Sequence, residues 1–91
     1  MHLTYEPHRI YAVDESGMLL AEITFPALSG EVVDLNHTFV HDSLRGQGAA
    51  DQLTRAALME IEAHGWKVVP SCPYAARWFE KHPEKAALLA K

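Results

Sequence analysis

Across two glycines in the middle of the chain the hydrophobic period changes from two to nearly four, and this switch restricts the fold more than any other feature. Before it, Val33, Leu35, His37 and Phe39 alternate with Asp34, Asn36, Thr38 and Val40, the period of a strand running from Glu31 to about His41. After it, Ala49, Leu53, Ala56, Ala57 and Ile61 fall on one face of a helix from Gly48 to His64, with Asp51, Arg55 and Glu62 opposite. Glu60 falls inside the apolar arc and interrupts it. Asp42, Ser43, Gly46 and Gly48 lie between the two patterns, so the chain is expected to leave a strand, pass a tight loop and enter a helix.

The flanking segments extend this unit. Residues 9–13 and 18–25 read as two strands, and Asp14-Glu15-Ser16-Gly17 supplies the turn chemistry of a hairpin between them. Ser29-Gly30 marks a further turn. Gly65 ends the helix after His64, Lys67 to Ser71 reads as a short strand, and Pro73 suits the first position of a last helix. Tyr74, Ala75, Trp78 and Phe79 give that helix an apolar face of the kind that more often packs in a core than marks an interface. His82-Pro83 interrupts it, and residues 86–89 add a final turn. The order β-β-β-α-β-α predicts an α/β (α+β) fold with a mixed, mainly antiparallel sheet and helices packed on it.

The 91 residues suffice for one domain, expected to span 1–91. Hydrophobic residues at 48% and charged residues at 22% argue against disorder. A formal net charge of −4 provides no electrostatic footprint for nucleic acid. The apolar runs are too short to cross a bilayer, and His2, Thr4, Glu6 and Pro7 after Met1 do not read as a signal peptide. One cysteine, Cys72, excludes an internal disulfide and suits a reducing, cytoplasmic setting.

The loop Arg45-Gly46-Gln47-Gly48-Ala49-Ala50 sits where a helix begins. Backbone N–H groups there lack intrahelical partners and the helix dipole adds positive potential. Small residues let an anion approach those groups, which suits a phosphate, and Arg45 supplies a charge-assisted contact. The P-loop pattern is missing, and Asp51 stands where a dinucleotide loop has its third glycine. A glycine-rich turn that only starts a helix is the competing reading. Cys72 precedes the last helix, whose N-terminus favours a thiolate; alternatively it is a small buried apolar side chain. His37 and His41 have the spacing of a helical zinc pair, but on a strand four residues span about 13 Å. No metal site is expected.

Arg45-Gly46-Gln47-Gly48-Ala49-Ala50 matches the R-x-x-G-x-G/A motif of the GNAT superfamily of N-acetyltransferases. Together with His37-Thr38-Phe39-Val40, Pro70-Ser71-Cys72-Pro73-Tyr74 and His82-Pro83-Glu84, the chain resembles the small single-domain GNAT-like proteins of the YidJ/NATD1 type over about residues 18–84. Lys85 departs from the pattern, where Tyr is usual. The resemblance implies acetyl-coenzyme A as cofactor, its pyrophosphate on the backbone of Gln47 to Ala50. It also implies a pantetheine arm paired along Phe39 and Val40 and a thioester near Cys72. An amine acceptor follows, either a protein lysine or a small amine, in a cleft left open because the chain has no room for the helices that wall it in longer members. Cys72 is then a candidate acyl carrier, and His37 a candidate base for the amine, unless it is a satisfied core or cleft histidine. A non-catalytic acyl-CoA-binding sensor or interaction module has the same loop and fold. Oligomeric state is not legible.

Overall fold

The computed structural model describes residues 1–90. Strands β1 (Thr4–Glu6), β2 (Arg9–Val13) and β3 (Leu19–Thr24) form an antiparallel meander, and β4 (Ala27–Ser29) and β5 (Val32–Asp34) a second hairpin. β6 (His37–Val40) follows, and a 3-10 turn at Asp42–Leu44 leads through the glycine loop to α1 (Ala49–Ala63). The chain then forms β7 (Lys67–Val69), α2 (Pro73–Lys81) and a 3-10 segment at Pro83–Leu88. The sheet is split in two: β1-β2-β3-β6 is antiparallel throughout, whereas in β4-β5-β7 the β5–β7 pair is parallel, joined across α1.

The first hairpin turns at Asp14, whose carboxylate accepts from the N–H groups of Ser16 and Met18. α1 ends on Gly65, φ +73°, with Gly65 N–H bonded to the Glu62 carbonyl and Trp66 N–H to that of Ile61. This closes the last carbonyls in the Schellman pattern, with glycine in the left-handed position it needs. α2 begins at Pro73 after Cys72 as N-cap.

The single strand expected from Glu31 to His41 is corrected to two. The break at Leu35-Asn36 reverses which face the following residues present. Val33 and Leu35 are buried, but Thr38 and Val40, not His37 and Phe39, then turn toward the core. Register gives the reason: Thr38 pairs with Ile23 and Val40 with Ala21, both fully buried, while His37 and Phe39 pair with Thr24 and Glu22. The core joins Ile10, Ile23, Phe25, Val33, Leu35 and Val68 of the sheets to Leu53, Ala57, Leu58 and Ile61 of α1 and Ala75, Trp78 and Phe79 of α2. Leu58 and Thr54 extend the predicted α1 face; Thr54 is fully buried because its hydroxyl donates to the Ala50 carbonyl at 2.8 Å. Both helices lie on one side of the sheets, so among the described residues no helix covers the face bearing Glu22, His37 and Phe39.

Candidate functional site

A strand that changes sheets halfway leaves a wedge. At its narrow end Leu35 N–H donates to the Val69 carbonyl (2.9 Å) and Cys72 N–H to that of Leu35 (3.0 Å). Beyond this, β7 ends and the chain turns away at Pro70, while β6 continues with β3 on one side only. His41 N–H donates to the Leu20 carbonyl at 2.7 Å, which fixes the phase of the ladder. Phe39 and His37 exchange their hydrogen bonds with β3, whereas Val40 and Thr38 direct N–H and C=O to the open side. The edge expected at Phe39 and Val40 is therefore presented by Thr38 and Val40; Phe39, 37% exposed, points to the outer face.

The wedge opens into a cleft of about 310 Å³ walled by Val40, Leu44, the glycine loop, the first residues of α1 and Tyr74. Gly46 (φ +81°) and Gly48 (φ +72°) hold the left-handed backbone that sets up this loop. A Cβ on either would meet no protein atom within 4 Å, so the demand for glycine is conformational and the space beside it stays clear. Gly48 caps α1 without a side chain. Among the described residues, the N–H groups of Gly46, Gly48, Ala49, Ala50 and Asp51 have no acceptor within the protein; Gln47 N–H is already given to the Leu44 carbonyl at 3.2 Å. The free donors thus surround Gln47 instead of including it. Arg45 pairs with Asp42 at 2.9 Å, but both side chains are more than four-fifths exposed, so the pair is weak and the guanidinium free to re-partner.

Cys72, 7% exposed, lies at the closed end of the wedge with Sγ 3.8 Å from the Thr38 hydroxyl. Burial pushes its thiol up, yet the N–H of Ala75, the Thr38 hydroxyl and the N–H groups of Tyr74 and Thr38 together outweigh this and hold it below the ordinary thiol value. Tyr74, whose phenol is raised by burial and by the Asp51 charge, remains a donor at neutral pH. His37 stands on the opposite face from Cys72, half exposed, with Nε2 3.1 Å from Glu22 Oε1. The other Glu22 oxygen takes Arg9 Nε at 2.6 Å. The structure therefore does not bring the two candidate catalytic residues together, and His37 is not a core histidine.

Sequence reasoning overlooked Thr38, Asp51 and Tyr74. Asp51 accepts from Trp78 Nε1 (2.8 Å) and Arg55 Nε (2.9 Å), which lower its carboxyl in that order and tie α2 to the start of α1. Its acidic place in the first turn was the signal available.

A family model described as GCN5-related N-acetyl-transferase matches residues 9–88. Protein NATD1 of Gallus gallus and of Mus musculus is 32% identical over 63 residues, 69% of this chain; the match spans 57% of the length of those relatives. The NMR solution structure of a GCN5-like protein from Staphylococcus aureus superposes with a TM-score of 0.81 at 26% identity, covering 98% of this chain and 87% of the other. A ribosomal-protein-alanine N-acetyltransferase from Brucella melitensis shares the fold at a TM-score of 0.61 and 24% identity, over 81% of this chain and 59% of its own.

Proposed function

The chain belongs to the GCN5-related N-acetyltransferase family, and we propose that it binds acetyl-coenzyme A in the cleft before α1 and transfers the acetyl group to a primary amine. The observation that supports this reading best is the set of free N–H groups of Gly46, Gly48, Ala49, Ala50 and Asp51, opening on the same cleft as the unpaired edge of β6. A pyrophosphate needs convergent donors at a helix N-terminus, and an amide-bearing arm needs a strand edge with alternate N–H and C=O free. Both border that cleft, the edge through Val40, and Cys72 lies buried against Thr38, two residues back along β6. The residues that hold the cofactor are then Arg45, Gly46, Gly48, Ala49 and Ala50 for the phosphates, with Gln47 fixing the loop through its bond to Leu44, and Val40 and Thr38 for the arm, with Phe39 supporting from β3's side.

Bound acetyl-coenzyme A supplies an acyl group activated as a thioester. The protein's share is placement and proton movement. Val40 and Thr38 orient the arm, Cys72 lines its end, and Tyr74 offers a phenolic proton from the cleft wall. His37, held by Glu22, stands on the opposite face of β6 from Cys72, so it takes the amine's proton only where the acceptor reaches the thioester past the free edge of β6. A direct attack needs nothing further; an acyl-Cys72 intermediate is the longer route, favoured by the lowered thiol. The acceptor is a protein lysine or a small amine, since no described helix walls off the outer face. No described helix is long and apolar enough to cross a membrane, and a free Cys72 suits the reducing cytoplasm.

Calorimetric titration with acetyl-CoA, CoA and ATP tests the reading. Saturable binding of the first two but not ATP is expected. No heat and no thermal shift at millimolar acetyl-CoA removes it. Turnover of a polyamine or a lysine peptide then separates an enzyme from a binding module.

A further inference from the structure

Resting on the acetyl-CoA reading, we infer that the groove along α2 beside Arg77 and Lys81 is a phosphomonoester site that takes the 3′-phosphate end of coenzyme A. A second cavity, about 240 Å³, shares Asp51 and Tyr74 with the main cleft and is completed by Arg77, Trp78, Lys81 and His82. The two cavities thus adjoin across Asp51 and Tyr74, at the first turn of α1.

The charges on its wall are unusual for this chain. Acidic residues outnumber Lys and Arg by 12 to 8, so partners for a cation are plentiful. Arg9, Arg45, Arg55 and Lys85 are ion-paired, and Lys67 donates to the Ala87 carbonyl. Among the described residues only Arg77 and Lys81 hold neither an ion pair nor a hydrogen bond. They stand four residues apart on α2, hence on one face and one turn apart, where two like charges repel unless an anion lies between them. The Asp51 carboxylate on the shared wall is already occupied by Trp78 and Arg55. The floor is rigid: the His82 ring stacks on Trp78 at 3.8 Å, donates from Nδ1 to the Trp78 carbonyl at 2.7 Å and receives Arg55 at Nε2. A firm floor under two free cations is the chemistry that recognises a dianionic phosphate.

The test compares acetyl-CoA with acetyl-3′-dephospho-CoA by calorimetry, on the wild type and on Arg77→Gln/Lys81→Gln. Two exposed cations on one dianion predict roughly tenfold tighter binding of acetyl-CoA by the wild type at low salt, falling as salt screens the contact. In the double variant that ratio falls to about one while dephospho-CoA binds as before, because both replaced side chains are exposed. Equal affinity for the two ligands in the wild type, a comparison that needs no variant, overturns the inference and leaves the acetyl-CoA reading intact. A ratio that survives in the variant overturns it too. Adenosine 3′,5′-bisphosphate is expected to compete where inorganic phosphate at the same concentration does not; equal competition makes this a general anion site and overturns the assignment. If neither CoA form binds, both readings fail together.

Discussion

Replacing Asp51 by Asn is expected to lower stability while raising cofactor affinity. The carboxylate stands in the first turn of α1, where a negative charge is worth about 0.3–1 kcal/mol against the helix dipole. It pairs with Arg55 one turn on, worth about 0.3–0.5 kcal/mol. It also accepts from Trp78 Nε1; the Asn oxygen keeps that bond but makes it neutral, a loss of roughly 0.5 kcal/mol. Since the side chain is 45% exposed, solvent screening favours the lower end, about 1 kcal/mol in all. For a domain of this size that is a fall in Tm of about 4–8 °C. The carboxyl is depressed in the fold by Trp78 first and Arg55 next. Its stabilisation is therefore complete above the unfolded pKa of about 3.9 and is lost as pH falls through the lower folded value. Urea unfolding of both proteins at pH 7 and pH 3 should show a gap that closes at the acid end. Removing a negative charge from the rim of both cavities should also tighten acetyl-CoA binding. Equal stability at pH 7, or a gap of the same size at pH 3, refutes the electrostatic account.

Three further substitutions address the loop and the catalytic candidates. Gly48→Ala places a Cβ on a φ of +72° without a clash, so it should cost about 1 kcal/mol from backbone strain alone and weaken acetyl-CoA binding; an unchanged melting curve means the loop does not need that conformation. Cys72→Ala should lower turnover several-fold while leaving acetyl-CoA affinity within about twofold, as loss of an acidified thiol beside the thioester implies; unchanged turnover takes Cys72 out of the mechanism. His37→Gln should lower turnover, and turnover equal to the wild type assigns His37 to sheet structure only.

The helices and the loop were legible because their signals are local. The apolar spacing of Leu53, Ala57 and Ile61, the cap at Gly65 and Pro73 after Cys72 each act within a few residues, and the elements appear where these put them. The split sheet was not. Alternation through Val33, Leu35, His37 and Phe39 is unbroken in the sequence, and only pairing with Ala21 and Ile23, far away in the chain, decides that the phase shifts at Asn36. β1 was missed for a related reason: Thr4, Tyr5 and Glu6 are all exposed, so no apolar face marks them. The loop's role as a cluster of donors was readable, but which N–H groups are free depends on the Gln47–Leu44 turn, which composition does not encode. His37 and Cys72 were separate catalytic candidates by residue type; the reversal at Asn36 puts them on opposite faces.

That reversal also creates a hazard. Exposed strand edges recruit other chains, and proteins commonly shield them with bulges, charges or very short strands. β6 is four residues long and is closed off at once by the 3-10 turn at Asp42–Leu44. Only Thr38 and Val40 offer free backbone, and Thr38 already faces Cys72, too little to template a second copy of the chain. The brevity of the edge limits the backbone that this side of the sheet leaves open to little more than an extended ligand arm would pair with.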